Sequence, residues 1–154
     1  FRNLVSTHKW SDRVDTVKAA KRAGMEACCG GIIGMGEDYT DRVEWAFSLR
    51  DLEVESIPVN FLDPRPGTPM AENERPSPED CLRTLAMVRF VNPDRDIRVA
   101  GGREKNLGEL QGVALKAANS LFTQGYLTTG GQGYQADITL IEDAGFRVAV
   151  VMPQ

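Results

Sequence analysis

The segment GMEACCGGIIGMGED, residues 24–38, decides the fold because it links a helix, a strand and a glycine-rich turn. A helical pattern precedes it and ends at Gly24, a residue typical of helix ends. EACCGGII, residues 26–33, then predicts a short buried strand that runs into the turn. Its adjacent Cys28 and Cys29 raise three alternatives: a disulfide, a metal ligand or plain packing.

Helical and strand-like segments alternate along the rest of the chain. The predicted order α-βα-βα-βα-βα indicates a parallel sheet covered by helices. Two architectures fit this order, a doubly wound sheet and four units of a (β/α)8 barrel, and both place functional residues at the carboxyl ends of strands. The predicted strands are residues 26–33, 55–62, 96–100 and 119–122.

Residues at the helix starts predict the helix caps. Thr40 is the predicted cap of the second helix, and Ser77 followed by Pro78 is a strong start for the third. Asn106 with Glu109 three residues later resembles a capping box for the fourth. The last helix is predicted over residues 135–144, closed by Gly145. The predicted apolar stripes are Trp10, Val14 and Val17; Val43, Ala46 and Phe47; Leu82, Leu85 and Ala86; and Leu110, Val113, Ala114 and Ala117.

Length and composition indicate one globular domain of 154 residues, with 42% hydrophobic residues and a net charge of −4. The acidic balance argues against a nucleic-acid-binding or membrane-surface protein. No apolar run approaches the roughly 20 residues that span a bilayer. The odd count of three cysteines favours a reducing cytoplasm over a secreted disulfide framework. The first residue, Phe1, suggests a piece of a longer chain.

Alternation along the strands separates candidate site residues from packing residues. Successive strand side chains point to opposite faces, so Cys28 and Cys29 cannot both face one site. Asn60 and Arg98 each lie between two apolar neighbours. We therefore assign Cys28, Asn60 and Arg98 to the interior face and their neighbours to the helices.

Each of these residues also has a structural interpretation. A cysteine at the end of a buried strand most often packs as a small hydrophobe. Asn60 can satisfy backbone groups, whereas a buried Arg98 needs partners. The glycine order G-x-x-G-x-G is weak evidence for a phosphate site. His8 is expected at the surface and Cys81 inside a helix, and their spacing from the other cysteines is not that of a zinc site.

Four phrases of the chain, in this order and at suitable distances, resemble the biotin synthase family of radical S-adenosylmethionine enzymes. The similarity covers nearly the whole chain and weakens only past about Gly145. Several motifs in register are more specific than any single glycine pattern. The phrases are THKWSDRVDTVKAAKRAGMEACCGGIIGMGE (7–37), ESIPVNFLDPRPGTPMAEN (55–73), IRVAGGREKNLGE (97–109) and YLTTGG (126–131).

The resemblance implies an α/β fold, the second half of a (β/α)8 TIM-type barrel, roughly strands five to eight. Residues 1–154 then form a partial barrel domain, and the family's C-x3-C-x2-C loop would belong to a missing upstream half. On this interpretation the fragment alone is inactive and leaves two raw strand edges. The family also implies a cytoplasmic homodimer.

The activity that the resemblance implies is the conversion of dethiobiotin to biotin. In the family, S-adenosylmethionine bound to a [4Fe–4S] cluster is cleaved to a 5′-deoxyadenosyl radical, which abstracts hydrogens from dethiobiotin. Sulfur from a [2Fe–2S] cluster then closes the ring. An electron donor such as flavodoxin supplies the reducing equivalents.

The resemblance also implies roles for particular residues. Cys28, rather than Cys29, and Arg98 match the family's [2Fe–2S] ligands, although a guanidinium normally stays protonated and offers no lone pair. Asn60 matches a residue near dethiobiotin and the ribose of S-adenosylmethionine. The residues expected to lie against S-adenosylmethionine are Gly30, Gly31, Ile32, Gly34 and Asn60.

Two alternatives remain open from the sequence. One is another radical S-adenosylmethionine barrel that rearranges its substrate, against which Cys28 and Arg98 together favour sulfur insertion. The other is a non-catalytic α/β module that binds a nucleotide.

Overall fold

A computed structural model describes residues 5–126 and 129–149 of the chain. Within these ranges no helix has the length and apolar character needed to cross a membrane. The helices are α1 Trp10–Arg22, α2 Tyr39–Asp51, α3 Pro78–Val91, α4 Arg103–Leu107, a 3-10 turn Gly108–Leu110, α5 Gln111–Ala114 and α6 Tyr134–Asp143. The strands are β1 Gly31–Ile33, β2 Ser56–Phe61, β3 Asp96–Val99, β4 Ser120–Leu121, β5 Gly125–Tyr126 and β6 Thr129–Gly130.

Four strands form a parallel sheet in the order β1-β2-β3-β4, the order in which they occur along the chain. The register places Ile32 opposite Asn60, and Arg98 opposite both Pro58 and Ser120. β5 and β6 form a separate antiparallel pair. The predicted parallel α/β sheet is therefore confirmed.

Burial alternates along the strands and defines two faces of the sheet. On the helix face, Ile57, Val59 and Phe61 of β2 and Ile97 and Val99 of β3 are all buried. They join the buried side chains of α2 and α3 in one apolar cluster. The opposite face, here called the open face, carries Cys28, Ile32, Ser56, Pro58, Asn60, Arg98 and Ser120.

Several element predictions are confirmed within one or two residues. The strands over 55–62, 96–100 and 119–122 are present, as are the first, third and last helices. Ser77 caps α3 by accepting a hydrogen bond from the Asp80 backbone N–H at 3.2 Å. Cys81 lies buried inside this helix, as expected.

The predicted start of the second helix is wrong. Asp38, not Thr40, is the cap, and it exchanges hydrogen bonds with Asp41 in a capping box. Of the predicted apolar stripe on this helix, Ala46 is buried, whereas Val43 and Phe47 are exposed. An Asp two residues earlier outcompetes the Thr because its carboxylate also complements the helix dipole.

The predicted capping box at Asn106 is also wrong. α4 begins at Arg103, with Gly102 at the N-cap position, and Asn106 lies buried within the helix. Gly102 has φ +79°, and a Cβ placed on it would lie 2.0 Å from the carbonyl oxygen of Phe61. The chain therefore turns into the helix earlier than the pattern predicts, since only glycine can make this close approach to β2.

The strand predicted over residues 26–33 is shorter and less buried than expected. β1 begins at Gly31, and Cys28 forms only an isolated bridge with Ser56. Ile32 is 47% exposed because it lies on the open face of the edge strand. The two cysteines precede the strand proper.

Glu55 links α1 to the sheet. Its carboxylate pairs with Lys21 of α1 and accepts a hydrogen bond from the Ala27 backbone N–H at 2.6 Å. The hydrogen bond from Lys21, which has the largest effect, and the one from Ala27 lower the pKa of Glu55 from 4.5 to about 2. The pair therefore joins the otherwise exposed first helix to the strand that follows Ala27.

We predict that Glu55→Gln removes part of the acid sensitivity of folding. Because the folded-state pKa of Glu55 is depressed, its contribution to stability is complete above about pH 4.5 and is lost as pH falls towards 2. The free energy of unfolding of the variant should therefore depend less on pH in this window, measured by urea titration of the natural protein that carries these residues. Glu53→Gln, at an exposed position beside it, should keep the original slope, and equal slopes in all three proteins would contradict the prediction.

Candidate active site

The open face brings together the three residues assigned to it from the sequence. Cys28 precedes β1, Asn60 lies near the carboxyl end of β2, and Arg98 lies in the middle of β3. Neighbouring parallel strands lie about 4.8 Å apart, so β1 and β3 are separated by about 10 Å across β2. The predicted sharing of one face is confirmed by the strand register.

The three cysteines differ in their access to a ligand. Cys28 is exposed, Cys29 is half-buried against the core and Cys81 is buried. Burial raises the pKa of the Cys29 thiol and raises that of Cys81 to about 12. Because the thiolate is the form that binds metals, Cys28 is the best placed of the three. No disulfide forms among these described cysteines.

The Asn60 side chain ties two backbone segments together. Its Nδ2 donates to the Gly31 carbonyl oxygen at 3.1 Å, and its Oδ1 accepts from the Gly101 N–H at 2.9 Å. The amide thereby joins β1 to the turn after β3 and satisfies backbone groups. One N–H and one lone pair of the amide are left over for a ligand on the open face.

Arg98 is oriented towards the β4 side of the open face. Its Nε donates to the Ser120 hydroxyl at 3.0 Å, and its guanidinium carbon lies 5.5 Å from the centroid of the Phe122 ring. These contacts occupy one nitrogen and one side of the guanidinium plane. The two terminal nitrogens are the part of Arg98 that can approach a bound group.

The glycine-rich segment expected to form a wall against S-adenosylmethionine, Gly30 to Gly36, contains the edge strand β1 and the turn after it. A Cβ on Gly30 would lie 1.8 Å from the Pro58 carbonyl oxygen, so this position tolerates only glycine. A Cβ on Gly31 would lie 3.1 Å from the Trp45 ring. The glycines therefore allow close packing of β1 against β2 and α2, and leave exposed Ile32 as the apolar side chain of this wall.

A buried ion-pair network that the sequence patterns did not reveal holds the glycine turn. The Glu37 carboxylate accepts hydrogen bonds from the Gly34 and Met35 N–H groups, both at 2.8 Å. Arg42, only 8% exposed, donates to Glu37 at 2.9 Å and to Asp80 of α3 at 2.7 Å. The turn is thereby connected to α2 and α3.

Charge pairing within this network outweighs the cost of burial. Burial disfavours the charged guanidinium of Arg42, but hydrogen bonds to Asp80 and Glu37 raise its pKa overall. Burial likewise opposes ionisation of Asp80, but hydrogen bonds from Arg42 and Tyr39 lower its pKa overall. Arg42 and Asp80 therefore both remain charged around neutral pH. The one signal available in the sequence was the spacing of four residues between Arg42 and the apolar Ala46, which places both on the same face of the helix.

A cleft of about 560 Å³ lies beside Cys28, between α1 and β1. His8, Trp10 and Arg13 line it together with both Cys28 and Cys29. The expectation that the two cysteines cannot share one site is therefore wrong, because both precede the regular strand β1 and its alternation. His8, expected at the surface, is thus half-buried at the mouth of this cleft. Asn60 and Arg98 do not line the cleft, because they lie further across the open face.

The chain was compared with known protein families. The family model described as the Biotin and Thiamin Synthesis associated domain matches residues 58–147, more than half of the chain. The chain belongs to this family. The matched region contains Asn60, Arg98 and most of the parallel sheet, whereas Cys28 lies before it.

Members of the biotin synthase group are similar over almost the whole chain. A biotin synthase of Salinibacter ruber is 59% identical over 151 residues, which is 98% of this chain and 42% of the relative. Those of Rhodopirellula baltica and Streptomyces coelicolor are 51% and 52% identical over 96% of this chain, and 41% and 36% of the relatives. The resemblance to biotin synthase is thus confirmed, and the chain spans roughly two fifths of the length of these curated relatives.

The iron–sulfur group that such a resemblance implies was tested against the side chains of the open face. A solvent-accessible thiol at Cys28 suits iron, which prefers soft thiolate ligands. Among the described residues, no three His, Cys, Asp or Glu side chains are close enough to hold a metal ion. The described residues therefore offer such a group one accessible thiol, that of Cys28, and do not form a complete ligand set.

We predict that Gly30→Ala is strongly destabilising, because the added methyl group would meet the Pro58 carbonyl oxygen at 1.8 Å. Forcing β1 away from β2 should cost about 3 kcal/mol of unfolding free energy, as for other overpacked sites. Gly130→Ala is the matched control, since a Cβ there meets no atom within 4 Å. Equal urea midpoints for the two variants would refute this account of Gly30.

We further predict that Arg42→Met loosens the glycine turn. The change leaves Glu37 and Asp80 without their shared cation, which should cost about 3 kcal/mol, and amide hydrogen exchange at Gly34 and Met35 should accelerate. Arg50→Met on the exposed side of the same helix should change neither quantity by much. Unchanged exchange at the turn in Arg42→Met would show that Glu37 holds it without help from the arginine.

Proposed function

We propose that this chain forms the carboxyl-terminal half of a biotin synthase, the part that supplies strands five to eight of a (β/α)8 barrel. The supporting observation is the sequential order of the four parallel strands, with helices packed on one face. A doubly wound sheet reverses its strand order at a switch point and covers both faces. The open face with its polar side chains would then be the barrel interior.

The identity of the relatives supports the reaction proposed. The three biotin synthases above match nearly the whole chain at 51–59% identity. Identity at this level supports a shared reaction, and this chain carries the candidate site residues Cys28, Asn60 and Arg98. The proposed substrates are dethiobiotin and S-adenosylmethionine, and the proposed overall change is sulfur insertion into dethiobiotin. The proposed whole enzyme is a homodimer that receives electrons from a donor such as flavodoxin.

In the proposed site, Cys28 and Arg98 hold a [2Fe–2S] cluster that supplies the inserted sulfur, and a [4Fe–4S] cluster on the upstream half serves S-adenosylmethionine. Cys28 contributes a thiolate from an exposed position. Arg98 contributes its terminal nitrogens, because its Nε is engaged by Ser120. A protonated guanidinium offers no lone pair, so Arg98 either acts as a charge partner or binds in a neutral form and only weakly.

The other residues of the open face bind and orient the organic reactants. Asn60 presents the unused N–H and lone pair of its amide to dethiobiotin and to the ribose of S-adenosylmethionine. Gly30, Gly31 and Gly34 present a backbone surface without side chains, and Ile32 adds an apolar contact. Asn60 is held by Gly31 and Gly101 before any ligand binds, which lowers the entropic cost of orienting the ligand.

We predict that Cys28 is required for the [2Fe–2S] cluster. The natural protein that carries these residues would be reconstituted with iron and sulfide, and its visible absorbance recorded. Cys28→Ser should lose the [2Fe–2S] contribution, because a serine hydroxyl is a poor ligand for iron. Cys29→Ser should retain it and serves as the matched control one residue away.

The same experiment separates the enzyme from the alternative functions. A non-catalytic nucleotide-binding module would be favoured by two results together. The isolated 154-residue chain would fold as a colourless monomer that binds neither iron nor dethiobiotin, and the longer protein would bind neither as well. A longer protein that binds iron through Cys28 but does not convert dethiobiotin would favour another radical S-adenosylmethionine enzyme. The 154-residue chain alone is predicted to be inactive.

A further inference from the structure

The position of Arg98 depends on the segment that contains β4. Ser120 accepts a hydrogen bond from Arg98 Nε at 3.0 Å, and the Phe122 ring lies under the guanidinium at 5.5 Å. Ser120 and Phe122 are two residues apart, so they project from the same face of this segment as Arg98. Any movement of the segment would therefore move both groups that orient the guanidinium.

β4 is short, so contacts outside the strand contribute to the attachment of this segment. It has two residues and lies at the edge of the described sheet, paired only with β3. Beyond β4, the Phe122 N–H donates to the Val99 carbonyl oxygen at 3.1 Å. The Phe122 carbonyl oxygen accepts a hydrogen bond from Arg103 Nε at 3.2 Å. Arg103 thus completes the attachment of Phe122.

Arg103 is itself held in a buried and almost fully paired position. It is 2% exposed and forms an ion pair with Asp137 of α6, which is 0% exposed. Its guanidinium also donates to the Gln111 side chain and lies 3.2 Å from a Glu104 carboxylate oxygen. Gln132 donates a further hydrogen bond to Asp137 at 2.8 Å. A buried pair with this many partners resists displacement, since breaking it leaves a charge without water or partner.

We infer that Arg103 and Asp137 are positioning residues for Arg98, and that they act through Phe122. The ion pair joins α4 to α6 and places the Phe122 carbonyl oxygen, and the Phe122 ring then fixes the plane of the Arg98 guanidinium on the open face. Neither Arg103 nor Asp137 touches a reactant in this scheme. A role of this contact in catalysis rests on the proposed function, whereas the orientation of the Arg98 guanidinium by Phe122 does not.

Arginine labelling with phenylglyoxal, followed by peptide mass spectrometry, measures this positioning directly. The natural protein that carries these residues would be labelled free of iron, with the Arg98 rate divided by that of exposed Arg22. Phe122→Leu should raise the relative rate about two- to fivefold, the factor that corresponds to an ordinary cation–π contact. Phe122→Tyr keeps an aromatic ring and should leave the relative labelling rate of Arg98 as it is in the unsubstituted protein. Phe90→Leu, at a phenylalanine that is 86% exposed, is the matched control and should change nothing.

Arg103→Lys tests the more distant step. The lysine keeps a charge opposite Asp137 but cannot hold Gln111 and the Phe122 carbonyl oxygen as well, so the Arg98 rate should rise by a similar factor. In the Phe122→Leu background the same change should add nothing to the Arg98 rate, although it still lowers the melting temperature. If Arg103→Lys fails to fold, Gln111→Ala, which leaves the ion pair intact, takes its place.

Two results would overturn the inference. One is an Arg98 rate that does not respond to Phe122→Leu. The other is an Arg103→Lys effect of the same size with and without the Phe122 ring, because a general loosening would act independently of that ring. Arg98→Ala in the reconstituted protein tests the proposed function separately: an unchanged cluster absorption spectrum would remove Arg98 from the iron site while leaving the labelling results valid.

Discussion

Parallel pairing of β2 with β1 on one side and β3 on the other is the constraint on which the remaining structure depends. Because residues at the same level of adjacent parallel strands share a face, this pairing decides which side chains meet. It directs Ile57, Val59 and Ile97 towards the helices and leaves the alternate positions on the open face. A shift of one residue in β2 or β3 would bury Asn60 or Arg98 among apolar side chains, so apolar burial and site assembly specify the same register.

Two glycines allow that pairing to be as close as it is. Gly30 and Gly102 both lie where a Cβ would press on a carbonyl oxygen of β2. The first brings the edge strand and Cys28 up to the sheet, and the second turns the chain from β3 into α4. These two close approaches position the backbone segments that carry Cys28, Asn60 and Arg98.

Buried ion pairs then stabilise the loops at the carboxyl ends of the strands. Arg42 connects the glycine turn to α2 and α3, and Arg103 connects the segment after β4 to α4 and α6. In both cases one guanidinium contacts several segments of the chain, so the paired charges fix the loop relative to the helices. The cost of burying these charges is offset by several hydrogen bonds to each guanidinium.

Local patterns predicted the elements that depend on local chemistry. The Ser77-Pro78 start of α3 and the alternation in β2 and β3 were recognisable because capping and burial act on neighbouring residues. The assignment of Asn60 and Arg98 to one face followed from the same alternation. The start of α2 at Asp38 was missed because Asp and Thr are both helix-capping residue types and the two lie only two positions apart. The position of Asn106 was missed because a contact with distant Phe61 moves the helix start.

The sequence by itself determined the α/β class, the parallel sheet, the two faces of β2 and β3 and the similarity to biotin synthase. Only the tertiary structure decided that Cys28 is exposed while Cys29 packs on the core, that Glu37 and Arg42 hold the glycine turn, and that Arg103 meets Asp137 across 34 positions of the chain. The physical reason is range. Capping and alternation act between residues close in sequence, whereas burial and ion pairing depend on which distant segments the folded chain brings into contact.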